Sequence, residues 1–142
     1  MANPRAVVDF EGIGVRRSTF VADASIVFDG TKPNGSSQVG LAAQLVSTDT
    51  VGLTVDASEV LGRIERVHAD GMVVVQHQGG CSLPGGNAAT LTTGAQIVGA
   101  LLPAGQGGGG GGIRAAVVAE AHNARGNILN AAVTTAVKVM LD

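Results

Sequence analysis

The sequence predicts a mainly β protein, a small barrel or sandwich with an extended N-terminal arm and at most one short helix. Short runs of Val, Ile, Leu and Ala recur between clusters of Gly, Pro, Asn and Asp, which is typical of small all-β domains. An Asp-Gly turn separates two runs rich in β-branched residues. The length of 142 residues suits one domain plus an irregular segment.

Residues 1–37 are predicted to form an N-terminal arm with short strands. A β-prone stretch runs from Thr19 to Phe28, and a dense turn cluster follows it from Lys32 to Ser37. The stretch has no evident apolar core of its own. We therefore expect it to pair with the exposed sheet edge of a partner.

Residues 38–142 are predicted to form the β-barrel-like domain. Its clearest element is a hairpin in which residues 60–68 and 72–77 flank the Asp70-Gly71 turn. A strand over 39–46 would place Leu41, Ala43 and Leu45 on one face, because side chains alternate along a strand. The remaining expected strands are 51–55, 97–102, 127–130 and 136–141.

Two glycine-rich stretches are predicted to be loops. The first covers residues 79–86. The second is a flexible loop over 105–112, where six consecutive glycines leave no side chain to fix a conformation. This run lacks the lysine and hydroxyl residue of a phosphate-binding loop. Residues 115–124, which are rich in Ala, suit a short helix or a strand.

The composition predicts an aliphatic core that gains stability from a partner. The chain has three Phe, no Trp and no Tyr, so its core must consist of Val, Ile, Leu and Ala. Such side chains bury little apolar area each, and the 22 glycines lose backbone entropy on ordering. Binding to another subunit would therefore stabilise this chain appreciably.

Charge and hydropathy argue against nucleic-acid and membrane partners. The net charge is −2 with 14% charged residues, and the pair Arg16-Arg17 is too short to form a basic patch. The longest apolar runs fall well below the ~20 residues that span a bilayer. Residues 1–10 lack the apolar core of a signal peptide. We expect synthesis in a host cytoplasm.

No metal or cofactor site is predicted. His68 and His77 lie on opposite arms of the predicted hairpin, where they could face each other as half of a metal site. A third ligand is missing nearby, because Asp70 is explained by turn formation. We therefore expect exposed or interfacial histidines without a bound ion.

Catalysis is not expected either. Cys81 lies near His77 and Ser82, but the surrounding glycines would position a nucleophile and its base poorly. Glu65 alternates with arginines, which is typical of a solvated strand face. The carboxylates considered for acid–base chemistry, none of which converges on a reaction centre, are Asp56, Glu59, Glu65 and Asp70.

Five segments carry a resemblance to a known family. They are Gly62–Val67, which leads into the Asp70-Gly71 turn, Met72–Val75, Thr93–Ala100, and the two closing segments 124–130 and 137–141. Together they make the stretch from Val60 to Asp142 resemble the capsid decoration, or head-stabilising, proteins of tailed bacteriophages. The first 37 residues and the six-glycine run depart from the family pattern.

The resemblance implies a small β-barrel or β-tulip-like domain on the exterior of the virion capsid, with no catalytic residue to carry over. It implies two partners, the major capsid protein and further copies of the chain in a homotrimer, with a dimer as the alternative. We expect the N-terminal arm to contact the capsid through its larger apolar residues, which are Val7, Val8, Phe10, Phe20, Val21, Ile26 and Phe28.

Two other functions remain open from the sequence. One is a different virion part, such as a head-fibre base, a neck subunit or a tail component. The other is a small ligand-binding or carbohydrate-binding β-module. Three Phe supply few of the aromatic walls that such sites use, which disfavours the second alternative.

Overall fold

The structure, a computed structural model, describes residues 14–87 and 91–142, and it is mainly β as predicted. Strands make up 43% of the described residues, and no helix among those residues is as long as 7 residues. Short 3-10 turns occur at Pro33–Gly35, Ala104–Gln106 and Val118–Glu120. The strands are β1 (Arg16–Ala22), β2 (Ala42–Ser47), β3 (Thr50–Leu53), β4 (Gly62–Val67), β5 (Met72–Leu83), β6 (Ile97–Ala100), β7 (Gly112–Ala115), β8 (Asn127–Asn130) and β9 (Val137–Leu141).

The first five strands form a closed barrel, which confirms the predicted small β-barrel. Their order is β1-β3-β2-β4-β5, and β5 pairs back with β1. The β1–β3 pair is parallel and the other barrel pairs are antiparallel. The interior is aliphatic, and its buried apolar residues are Ile26, Ala43, Val51, Ile64, Val67, Val73 and Val75.

A second apolar core lies beyond the barrel along the far half of β5. There β5 pairs with β9, and β9 pairs with β8. The buried residues of this core include Cys81, Leu83, Ile97, Ile113 and Val139. The loop expected at 79–86 was wrong in its first part, because the strand continues through the two glycines to Leu83.

The predicted hairpin is present as β4 and β5. The Asp70 Oδ1 atom accepts a hydrogen bond from the Met72 N–H at 3.1 Å, and Gly71 has a φ of 85°. Asp70 therefore acts in turn formation, as the sequence indicated. Residues 115–124 form neither of the expected elements along their length, since β7 ends at Ala115 and one 3-10 turn follows.

Part of the predicted N-terminal arm belongs to the barrel, which differs from the boundary placed at residue 37. β1 pairs with β5 from Arg16 to Val21 and with β3 at Val21 and Ala22. Ile26 is 6% exposed and packs in the barrel core. The physical reason is closure, because without β1 the barrel would present two unpaired strand edges.

The second half of the six-glycine run is held by the barrel, in contrast to the flexible loop expected there. The Gly111 carbonyl accepts a hydrogen bond from the Ala42 N–H at 2.8 Å, and its own N–H donates to the Thr54 carbonyl at 3.0 Å. The Thr54 hydroxyl donates to the Gly112 carbonyl at 2.9 Å. These bonds dock the start of β7 onto β2 and the end of β3.

Candidate protein-binding surface

The two hairpin histidines do not face each other, so they do not form the half of a metal site that was considered from the sequence. His68 lies at the turn, where its N–H donates to the Met72 carbonyl at 2.8 Å. His77 lies five residues beyond Met72, about 16 Å along the strand. Its Nε2 atom is 2.8 Å from the Ser18 hydroxyl. Within residues 14–87 and 91–142, no group of three or more His, Cys, Asp and Glu side chains could hold a metal ion.

The thiol considered for catalysis is part of the second core. Cys81 is 3% exposed and lies opposite Val139 in the β5–β9 ladder. His77 precedes it by four residues of the same strand, which separates their backbones by about 13 Å. A hydrogen bond between the thiol and this imidazole is therefore out of reach.

The acidic residues considered for catalysis have separate surroundings. Asp56 pairs with Arg114 at 3.0 Å, and Glu65 pairs with Arg63 at 3.2 Å. Glu120 also pairs with Arg114. Hydrogen bonds from Arg114, and to a smaller extent from the Val117 N–H, lower the pKa of Glu120 to about 2. These carboxylates therefore stabilise the surface locally and form no shared acid–base pair.

The predicted capsid-contact residues have different environments. Three of them lie outside the described residues, namely Val7, Val8 and Phe10. Phe20 is half-buried and packs against the barrel core, while Ile26 is buried within it. Val21 and Phe28 are each 44% exposed. Of the four described residues, Val21 and Phe28 are thus the two whose exposed apolar surface is available to a partner.

Val21 and two further exposed apolar residues lie at one end of the barrel, beside the β2–β3 turn. Leu45 and Val46, at the end of β2, are 55% and 51% exposed. The Val21 N–H donates to the Asp49 carbonyl at 2.8 Å, which brings β1 to the β2–β3 turn. We call Val21, Leu45 and Val46 the apolar tip. Soluble proteins use such clusters chiefly to bind other proteins.

Among the described residues, the side of β2 that faces β4 has no strand partner at Leu45, beside the apolar tip. β2 pairs with β4 at Ala42 and Ala43, and the last bond between them runs from the Leu61 N–H to the Ala43 carbonyl at 2.8 Å. The Ala42 carbonyl accepts a hydrogen bond from the Thr54 N–H at 3.1 Å on the β3 side of β2. Because the direction of the backbone hydrogen-bonding groups alternates along a strand, the N–H and C=O groups of Leu45 point to the β4 side of β2, where the pairing with β4 has already ended. A partner strand can pair there.

A pocket borders the same end of β2. Its volume is about 310 Å³, and its lining residues are Gln44, Leu45, Ser58, Glu59, Leu61 and Asn123. The Asn123 side chain is fixed by donating to the Ala57 carbonyl at 3.1 Å. The lining combines two leucines with polar groups and contains no aromatic ring, which suits an aliphatic side chain of a partner better than a sugar.

The sequence alone did not identify the apolar tip as an exposed surface. Alternation placed Leu45 on one face with Leu41 and Ala43, yet Leu45 is exposed in the structure while Ala43 is buried. The regular register of β2 with β3 ends at Leu45, and a register shift follows between Leu45 and Ser47. Only the apolar dipeptide next to the turn, Leu45-Val46, signals the surface in the sequence.

No family model matches the chain, and no match was found among curated proteins or solved structures. None of the helices in the described ranges has the length and apolar character needed to cross a bilayer.

Proposed function

We propose that this chain is a non-catalytic structural protein of a bacteriophage virion, which binds the outer surface of the assembled capsid and stabilises the lattice of major capsid subunits. The observation that carries the proposal is the apolar tip beside an unpaired strand edge. A partner that covers the tip buries three exposed apolar side chains, and a strand added at Leu45 satisfies its backbone groups.

The energetics of the apolar tip suit a lattice-binding protein. Burying one exposed aliphatic side chain contributes roughly 1.5–3 kcal/mol, from which the costs of association must be subtracted. One tip therefore gives modest affinity by itself. A homo-oligomer that presents several tips to neighbouring capsid subunits multiplies this affinity through the high effective concentration of the second and third contacts.

Further exposed apolar residues support a role in protein association. They are distributed over other parts of the described surface, and they are Val27, Phe28, Val55, Leu101, Val117, Val118 and Val133. The resemblance of residues 60–142 to capsid decoration proteins directs the proposal to a capsid partner. A head-fibre base, neck or tail subunit would use the same kind of surface. The place in the virion where the protein binds distinguishes such a subunit from a capsid decoration protein.

Co-sedimentation tests the proposal. Capsids are assembled from the major capsid protein encoded in the same genome and are titrated with the purified chain. We expect saturable binding with a copy number that matches the threefold positions of the lattice. The double variant Leu45→Asp/Val46→Asp is expected to bind at least about tenfold more weakly, because it places charges where apolar area must be buried.

Ala132→Asp/Thr135→Asp is the matched control, since both residues are exposed, lie outside the apolar tip and receive the same two charges. It should bind the capsid like the wild type. Circular dichroism and thermal melts of both variants verify that they fold. A wild-type chain that fails to sediment with capsids, or a tip variant that binds like the control, would contradict the proposal.

A further inference from the structure

A second concave site lies where residues 28–35 pack against the turn end of the β4–β5 hairpin. Its volume is about 370 Å³. Three basic side chains line it, Lys32 from the 28–35 segment and Arg66 and His68 from the hairpin. We call these three residues, with Phe28 and Asn34 beside them, the cationic pocket.

The backbone of the 28–35 segment fixes this pocket in place. The Asp29 N–H donates to the Gly35 carbonyl at 2.7 Å, which closes the segment into a compact loop. A Cβ atom on Gly35 would lie 1.9 Å from the Val67 carbonyl, so the loop contacts β4 directly and only glycine fits. Lys32 and Arg66 are thereby held on the same concavity.

The acidic residues near the cationic pocket are already engaged elsewhere. The Asp29 carboxylate accepts hydrogen bonds from the Thr31 N–H at 3.0 Å and from the Thr31 hydroxyl at 2.6 Å. The Asp70 carboxylate accepts from the Met72 N–H in the hairpin turn. Among the described residues, neither Lys32 nor Arg66 forms an ion pair.

We infer that the cationic pocket binds a carboxylate group of the capsid subunit, an Asp or Glu side chain or a chain terminus; this inference rests on the proposed function. A guanidinium and an ammonium group bound to one carboxylate give charge-assisted hydrogen bonds, and Arg66 has the planar donor pair that matches two carboxylate oxygens. Phe28, which is 44% exposed, supplies an apolar wall for the methylenes of an acidic side chain.

The charges around the pocket favour a carboxylate over a phosphate group. The Asp29 carboxylate has an attractive electrostatic interaction with Lys32, so it offsets part of the positive charge that Lys32 and Arg66 bring to the pocket. The charge that remains is closer to one positive charge than to two. A singly charged carboxylate balances it, whereas a doubly charged phosphate would leave a negative charge unmatched.

Two measurements on the full chain test this inference. In the first, ¹⁵N-labelled protein is titrated with N-acetylglutamate α-methylamide, which carries a single side-chain carboxylate, and, separately, with inorganic phosphate at equal ionic strength. We expect the methylamide to shift the amide signals of residues 29–35 and 66–69, and phosphate to bind more weakly. The Lys32→Gln/Arg66→Gln variant should lose these shifts. Absent shifts, or tighter binding of phosphate, would overturn the assignment.

In the second measurement, capsid affinity is compared between Lys32→Gln/Arg66→Gln and the control Arg16→Gln/Arg17→Gln. Both variants remove two positive charges from exposed residues, so they alter the net charge equally. We expect the pocket variant to bind roughly tenfold more weakly, with a shallower salt dependence, and the control to stay near wild type. Equal losses in both variants, or no loss in either, would overturn the inference.

The two measurements separate this inference from the proposed function. If the wild type does not bind capsids but N-acetylglutamate α-methylamide shifts the pocket amides, the capsid proposal fails and a carboxylate site remains supported. If the wild type binds capsids but the pocket variant binds equally well, the proposed function stands and the inference fails.

Discussion

At the residue scale, Arg125 connects parts of the fold that are distant in sequence. Its guanidinium donates hydrogen bonds to the carbonyls of Leu61 and His77, and to that of Val60 at 3.2 Å. The Nε atom donates to the Asp142 carbonyl at 3.2 Å. Val60 is buried and Leu61 and His77 are partly buried, so their carbonyls have limited access to water as a substitute donor. Arg125 thereby joins the entry to β4, the middle of β5 and the residue that follows β9.

Replacing this side chain should destabilise the protein. We expect Arg125→Met to lower the free energy of unfolding by about 2–4 kcal/mol, because it leaves several partly buried carbonyls without donors. Urea unfolding monitored by far-ultraviolet circular dichroism measures the change. Arg16→Met, at an exposed position, serves as the control and should change stability by less than about 0.5 kcal/mol. Equal midpoints for both variants would contradict the assigned role.

At the element scale, the six-glycine run divides into two parts with different roles. Gly109 has nothing within 4 Å of an added Cβ, whereas a Cβ on Gly110 would lie 2.4 Å from the Thr54 carbonyl and 3.0 Å from the Leu53 Cβ. Neither residue has a positive φ, so the steric environment is the main difference between them. The latter part of the run is glycine because the chain passes directly over the end of β3.

A pair of alanine substitutions tests this division. Gly110→Ala should lower the free energy of unfolding by about 2 kcal/mol or more, because the methyl group cannot fit without moving β3 or the loop. Gly109→Ala should be neutral or slightly stabilising, within about 1 kcal/mol, since it restricts only the unfolded chain. Thermal and urea unfolding of the two variants provide the comparison. Equal free energies of unfolding for the two variants would contradict the proposed difference between Gly109 and Gly110.

The sequence predicted the elements that local signals define and missed the non-local ones. Asp70-Gly71 between β-branched runs specified the hairpin, because a turn and its flanking strands are adjacent in the chain. The barrel-closing role of β1 depends on pairs such as Arg17 with Gln76, whose partners lie far apart in sequence. No periodicity within β1 identifies that partner.

The binding surface was harder to predict than the fold for a similar reason. The alternation grouped Leu45 with Leu41 and Ala43 on one face, but the register shift after Leu45 is a feature of its pairing with β3. The cationic pocket requires residues 28–35 to pack on the hairpin end, through the contact between Gly35 and Val67. The sequence contains both segments, but their contact is a property of the tertiary structure.

At the scale of the whole molecule, one long strand links two aliphatic cores. The first part of β5 contributes to the barrel and its last part to the second core, so the two share a continuous backbone. This arrangement positions the apolar tip and the cationic pocket on a common scaffold. A capsid subunit would contact the first by apolar burial and the second through a carboxylate, which combines affinity with a defined orientation.

Binding to the capsid exterior is tested by a cryo-electron microscopy difference map between bare capsids and capsids saturated with the chain. We expect symmetric extra density on the exterior of the shell at threefold or quasi-threefold positions. The barrel should fit this density with Val21, Leu45 and Val46 against a capsid subunit. Extra density confined to the neck or tail, or no extra density at saturating concentrations, would contradict it.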